Sequence, residues 1–461
     1  MKKLLLIFLA VLAFAPSFAS HLMGGQITAR QLNGASYEIT MVLYRDTTGI
    51  PMTQNDINIY LLGNPTPVYI ITKPGVMTSF LNGVEQYVYM DTVSLSAGDY
   101  VLSFELCCRN GAIINAALGG GNSMYIRTKL AVTSGGGAIT ANSTPVLLNP
   151  PVTVAQLNTP FSYNPMPYDA DGDSLVWSLV TPLESSTSYL SGYVPPVGSA
   201  PFAINRFTGL ITWTPSILGN FVTCVLVSEY RNGIKIGEIR RDMQLIVLPA
   251  MVARPTINTA NFPTNAQGAF AFEVTAGSPL TATVVAADPT PNHPLSLSAT
   301  GEPFLHASNP AIFPAVNGIE TVQSTFSWSL NESQIRNNPY IVNFRMMQTY
   351  QNRVFTYDLS VLVKVRSVTS ANQNLEIDNQ LSIYPNPSNG SFAVSFLLEK
   401  PSQTSISIQD MATKTSRNVL TKQLPFGKNV LLFQDLNLAK GIYLVQITTE
   451  NKTTTQKLVV E

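Results

Sequence analysis

Asp169, Asp171 and Asp173 alternate around Gly172 in the stretch DADGD. Carboxylates at every second position of a tight turn can converge on one hard cation, and oxygen ligands at about 2.3–2.6 Å suit calcium, whose charge offsets their mutual repulsion. The spacing is not that of an EF-hand loop. Glycine stands fourth rather than sixth, and the twelfth position from Asp169 is Val180, where a bidentate glutamate would be required. A calcium site therefore needs ligands from elsewhere in the chain. Asp242 and Glu184 are candidates, because the strands of a sandwich bring distant carboxylates to one end. The competing reading is turn chemistry alone, with the aspartates bonding their own backbone and Gly172 supplying a left-handed conformation.

Other chemistry is sparse. His21, His293 and His306 are the only histidines, none in a paired metal spacing such as H-E-x-x-H. There is no G-x-S-x-G elbow. The glycine runs GGGNS near Gly119 and SGGGA near Gly135 read as loops, since a phosphate cradle needs a helix opening behind it. A zinc or copper role for His21, and hydrolysis by paired carboxylates, are weaker readings. Trp177, Trp213 and Trp328 could stack on sugars, but they sit in period-two apolar runs and are expected in the core.

The elements that must hold these residues read as strands. In SYEITMVLYR the residues Tyr37, Ile39, Met41 and Leu43 share one face, and in SFAVSFLL so do Phe392, Val394, Phe396 and Leu398. No long segment keeps a helical period. Twenty-nine glycines and 31 prolines punctuate these runs with turns, as sandwiches require. From about Asn149 to Val365 the chain repeats itself: Asp169, Trp213 and Asp242 in the first copy correspond to Asp288, Trp328 and Asp358 in the second. The second copy reads DPTPNHP where the first reads DADGDSL, so if calcium binds it is expected in the first and not the second. The expected order is a signal peptide (1–19), an N-terminal β-rich domain (20–145), an Ig-like or cadherin-like sandwich (146–250), a second sandwich (251–366), a polar linker (367–380) and a terminal unit (381–461). The fold class is all-β, with tandem β-sandwiches and a small C-terminal sandwich.

Lys2 and Lys3, the apolar stretch Leu4 to Ala15 and the small residues Ser17 and Ala19 form a secretory signal with cleavage expected after Ala19. No later run is long and apolar enough to span a bilayer as a helix, so no transmembrane segment is expected in the mature chain. Lys+Arg 27 balance Asp+Glu 27, which leaves no basic field for nucleic acid. Cys107, Cys108 and Cys224 cannot all pair with one another. A vicinal bridge, one long-range bridge to Cys224, or buried free thiols remain open.

Three resemblances follow from these residues. The stretches LSIYPNPSNGSFAVSF, SISIQDMATK and NVLLFQDLNLAKGIYLVQITTENKTTTQKLVV closely resemble the type A C-terminal sorting domain of the type IX (Por) secretion system. The motif covers Tyr384, Pro385, Asn386, Pro387, Gly390, Gly441, Tyr443 and Lys457. The resemblance implies a small sandwich read at the outer membrane, and as partners the Sec machinery and the type IX outer-membrane machinery. DADGDSLVWSL and FAINRFTGLITWTP look like a dystroglycan-type cadherin-like or immunoglobulin-like module; such modules often bind calcium through their acidic turn. SHLMGGQITARQLNGASYEITMVLYRD and YVLSFELCCRNGAIIN are similar to the start of large surface proteins of gliding, type IX-secreting bacteria. The expected function is a non-enzymatic protein at the outer surface or in the medium, reached through the periplasm, with an adhesive or structural role and a surface polysaccharide or protein as ligand. The alternative is an exported hydrolase or carbohydrate-binding protein with a loop-assembled site. A self-assembling matrix component is a third option.

Overall fold

Alternation decides this fold. Along the strand Ser36–Asp46, Tyr37, Ile39, Met41 and Leu43 are fully buried while the residues between them are partly exposed. A computed structural model describes residues 22–49, 56–72, 75–107, 109–110, 112–117, 122–135, 138–139, 142–367, 381–398, 400–434, 436–449 and 453–461. Among these, nearly all regular structure is strand; the exceptions are three single 3-10 turns. No helix of the described residues is long and apolar enough to cross a membrane. The signal peptide, His21, Cys108 and linker residues 368–380 lie outside the described residues. The chain forms two compact units, one through Ser367 and one from Val368 to Glu461.

In the first unit the strand Ile234–Leu248 is the hub. One edge pairs along its length with Gly219–Arg231. The other edge meets three partners in succession: Met124–Val132 at Gly237 and Glu238, Leu22–Asn33 at Asp242 and Met243, and Val154–Gln156 at its end. The N-terminal strands and the first repeat copy therefore share one twelve-stranded sheet, and the expected seam near residue 145 does not separate two sheets. Close approach at this crossing needs glycine: a Cβ on Gly24, whose φ is +139°, would lie 2.1 Å from the Asp242 carbonyl oxygen.

The first copy packs Phe161–Tyr163, Ile211–Pro215 and Gly198–Ile204 against the Ser174–Val180, Gly219–Arg231 and Ile234–Leu248 strands. Trp213, 1% exposed, fills the space between them with Phe161, Phe202 and Phe221 around it. Trp328 does the same in the second copy, whose core includes Val284, Phe326 and Phe344. Trp177 is only half-buried and donates to the Asn205 carbonyl. Polar bonds join the two copies: Asn164 donates its backbone N–H to Asp358 (2.8 Å), and Gln156 and Arg254 donate to Tyr357 and Ser162. Asn82, in the N-terminal region, exchanges two bonds with the backbone of Val354 in the second copy.

Cys107 is disulfide-bonded and Cys224 is a free, buried thiol, so the long-range bridge to Cys224 does not form and the reading of all three as free thiols does not hold for Cys107. Burial pushes the Cys224 thiol up to about 12, so it is not a thiolate nucleophile at neutral pH.

The second unit is a sandwich of Ser382–Tyr384, Phe392–Leu398 and Gly427–Phe433 against Ser416–Leu424, Ser402–Asp410, Gly441–Thr448 and Thr453–Val460. Phe392, Val394, Phe396 and Leu398 lie in its core together with Ile406, Val445 and Leu458.

Candidate functional site

Two places hold residues singled out by sequence. In the terminal unit the three separated motif blocks meet. Tyr384-Pro385-Asn386-Pro387 is a turn laid against the last strand: Asn386 donates to the Lys457 carbonyl (2.8 Å) and accepts from Val459 N–H (2.9 Å), while Ser388 N–H donates to the Val459 carbonyl. Gly390 adopts φ +101°, the conformation its type permits. Gly441 and Tyr443 face Val460 and Leu458 across the adjoining strand pair, and Tyr443 is anchored by its hydroxyl to the Ala439 carbonyl. Motif residues about 70 positions apart thus form one structural seam.

The second place is the acidic turn. Asp169 is buried, 8% exposed, and its Oδ1 accepts from the backbone N–H groups of Asp171 (2.9 Å) and Asp173 (3.0 Å), the turn chemistry expected of this residue type. Its Oδ2 is buried and has no hydrogen-bond partner. Asp171 accepts from Ser143 N–H (2.5 Å), and Asp173 is held in a two-pronged pair by Arg231 Nε (2.8 Å) and Nη2 (2.5 Å). Carboxylate oxygens of the three lie within 4.8 Å of one another, close enough to share an ion that keeps its ligands at about 2.3–2.6 Å.

Asp242 does not join them. It lies six residues further along the sheet, opposite Cys224, which itself pairs with Val180, whereas Asp173 precedes Ser174 at the other end of that strand. Both Asp242 oxygens are taken by Arg109 Nη1 (2.7 Å) and Nη2 (2.6 Å). It is the counter-ion of a buried cation, and its place in a calcium site is corrected accordingly. Glu184 stays in its own loop, accepting from Ser191 N–H at 3.4 Å.

The residue that sequence reasoning missed is Glu229. It is fully buried, and neither carboxylate oxygen accepts from an N–H or O–H donor of another residue. On Gly219–Arg231 it pairs with Leu175 and shares a face with Arg231, two residues on, beside Asp173. Burial, the charge of Asp169 and a side-chain hydrogen bond to Asp173 push its carboxyl up to about 9, so at neutral pH Glu229 is the protonated acid. Burial likewise raises Asp169 to about 6, with the Asp173 and Asp171 charges adding and their N–H bonds opposing. The sequence signal for Glu229 is its position three residues ahead of the Asn232-Gly233 hairpin turn; which strand lies beside it is not written there.

His293 stands with Nδ1 3.4 Å from Asp288 and its ring against Tyr350, and His306 packs between Trp328 and Tyr340, both inside the second copy.

No curated protein matches the chain. Among solved structures, similar chains include the YadV chaperone (10% identity, TM-score 0.21, covering 45% of this chain and 99% of that one) and the D00-D0 domain of intimin (10%, 0.20, 45% and 100%). The N-terminal four Ig domains of Dscam1 isoform 6.44 match at 11% identity and TM-score 0.18 over 95% of this chain and 99% of that one. Residues 382–461 match the family described as the secretion system C-terminal sorting domain, and with that module the chain carries the address of type IX cargo, exported to the cell surface or released.

Proposed function

We propose that the protein is a non-enzymatic surface or secreted scaffold, taken to the periplasm by the Sec machinery and across the outer membrane by the type IX machinery, with an adhesive or structural role outside. The observation that carries this reading is the terminal unit: a self-contained sandwich with its own core, whose motif blocks are stitched into one seam. A module that folds on its own core can be read by a transporter whatever precedes it. The unit ahead of it supports a passive role. Its thiol Cys224 is buried and protonated, His306 is packed among aromatic rings, and polar bonds fasten the three regions to one another. Loops of the first sandwich expose Tyr189, Val194, Phe207, Ile217 and Leu218, apolar side chains suited to contact with a surface polysaccharide or protein.

The test compares cells making the full chain with cells making a chain that ends at Gln380, by fractionation and mass measurement of each form. The full chain is expected at the surface or in the medium, and the shortened chain in the periplasm. Equal arrival of both outside the cell would overturn the reading.

A further inference from the structure

The charges of this chain balance in number but are not evenly spread. On the sheet that the N-terminal region shares with the first sandwich, direct pairing sets Tyr60, Val101, Lys129, Glu238, Ser228 and Val176 in one row. The row crosses six strands, from Ile57–Leu61 through Gly98–Leu106 and Met124–Val132 to Ser174–Val180. Residues paired in this way point to one face. It is the outer face, since Tyr100, Leu102, Leu130 and Ile239, their neighbours along the strands, lie in the cores behind. With strands about 4.8 Å apart the row is about 24 Å long.

Three cations converge on Glu238 within this row. Arg127 Nη2 donates to its Oε1 (3.0 Å), Lys235 Nζ donates to its Oε2 (2.6 Å), and Lys129 Nζ stands 3.7 Å from Oε1. Three cations on one carboxylate leave two positive charges in excess. The Glu238 side chain is 6% exposed, whereas those of Lys129 and Lys235 are 41% and 40% exposed, so the excess faces solvent. Arg240, two residues on along the same face, is buried, donates to the Thr181 carbonyl (3.3 Å) and adds to the positive side, while Asp242 beyond it is taken by Arg109. Two more carboxylates bracket the cluster on this face: Asp99, opposite Ala131, and Glu105, opposite Tyr125.

A solvent-facing positive excess beside aromatic and apolar side chains suits an anion carried on a sugar ring, with the carboxylate on the lysines and ring faces on Tyr60, Val101 and Val176. The bracketing carboxylates set how the ligand's charges must be spaced. A path along the row from Lys129 to Tyr60 crosses Val101, with Asp99 and Glu105 on either side of it in the same strand, so negative charge is favoured over Lys129 and disfavoured one strand on. Duplex nucleic acid, with a charge per about 1.7 Å of axis, would press phosphates against both carboxylates.

We propose that this row binds an acidic polysaccharide in which uronate and neutral sugars alternate, the uronate carboxylate held by Lys129 and Lys235 above Glu238 and a neutral sugar resting on Val101 and Tyr60. The inference rests on the adhesive reading above and gives its ligand a chemical class, with the contact on the shared sheet and not on the loops of the first sandwich.

The test uses the purified full mature chain, so that export does not enter, and titration calorimetry with hyaluronate as the alternating uronate, dextran as the neutral polymer and duplex DNA as the densely charged one. Wild type is expected to bind hyaluronate, with an affinity that falls at least about fivefold between about 50 and about 500 mM sodium chloride. Dextran and DNA should bind at least about tenfold more weakly. Lys129→Gln/Lys235→Gln, at two exposed positions, should lose at least about tenfold in hyaluronate affinity while still melting cooperatively. Lys422→Gln/Lys428→Gln, which removes the same charge from the terminal unit, should bind as wild type. The proposal is overturned if wild type does not bind hyaluronate, if dextran or DNA binds as tightly, or if the Lys129→Gln/Lys235→Gln variant keeps wild-type affinity. A chain that binds hyaluronate but stays in the periplasm would refute the export reading instead, and one that is exported without binding would refute this inference alone.

Discussion

Replacing Asp242 by asparagine separates a structural strut from a metal ligand. The Asp242 side chain is 3% exposed and that of Arg109 4%, and the pair is two-pronged, with Arg109 also donating to the Leu183 carbonyl at 3.1 Å. Asparagine keeps the shape but removes the counter-charge and turns an amide donor towards a guanidinium. Breaking one side of a buried pair costs about 3–5 kcal/mol, most of it from the charge left behind. Unfolding entropy of about 2.1 cal/mol/K per residue gives roughly 0.7 kcal/mol/K for a unit of roughly 350 residues. The expected fall in Tm is therefore about 4–7 °C.

Calorimetry of wild type, Asp242→Asn, Arg109→Met and the Arg109→Met/Asp242→Leu double variant completes the cycle. The double variant leaves no unpaired charge and should recover most of the loss, because a buried pair and its apolar replacement are close in free energy. A Tm within 1 °C of wild type, or a double variant as unstable as the two losses added together, would refute the assignment of this pair as a strut.

Gly24→Ala should disrupt the crossing of the first strand over Ile234–Leu248, since its Cβ would meet the Asp242 carbonyl at 2.1 Å and its φ is +139°; a loss of at least about 2 kcal/mol is expected by denaturant titration. Gly34→Ala, in open space at φ +47°, is the control, with a loss of no more than about 1 kcal/mol, and equal losses would count against the crossing. For Glu238, burial pushes the carboxyl up, but the bond from Lys235 (2.6 Å) with the charges of Lys129 and Arg127 outweighs it and holds the group below the ordinary range. A lowered folded value gives stability that is complete above the unfolded value of 4.5 and is lost as pH falls through the folded one. Glu238→Gln should thus be weaker than wild type by about 1 kcal/mol at neutral pH, discounted because both lysines are about 40% exposed, with the gap closing as pH falls below 4.5. A gap that widens on acidification would contradict this.

What sequence shows well here is which face a residue takes. Period two places Tyr37, Ile39, Met41 and Leu43 inside, and the Trp213 and Trp328 spacing marks the centres of two cores. The YPNPSNG turn is also legible, because proline and glycine fix backbone geometry locally. What sequence hides is which strand lies beside which. Asp242 looks like a free carboxylate until Arg109, 133 positions earlier, is found against it. Glu229 carries no motif and becomes visible only through the pairing of Leu175 with its strand.

The repeat itself sharpens that point. Asp242 and Asp358 follow Trp213 and Trp328 at nearly equal distances, and both end in a two-pronged pair with an arginine. The partners have different origins. In the second copy the residue across the ladder from Asp358 is Arg345, so hairpin and counter-ion come from one strand pair. In the first copy the corresponding residue across from Asp242 is Cys224, too short and too apolar for the task, and Arg109 arrives from the N-terminal region instead. The same asymmetry recurs at the turn, where Gln348 donates to Asp288 Oδ2 while Asp169 Oδ2 has no hydrogen-bond partner. The second sandwich supplies the side-chain partner at both positions from its own strands, although Asp358 also accepts from Asn164 N–H of the first copy. The first obtains its cation at Asp242 from a neighbouring region, and its last strand also shares a sheet with the strands of that region.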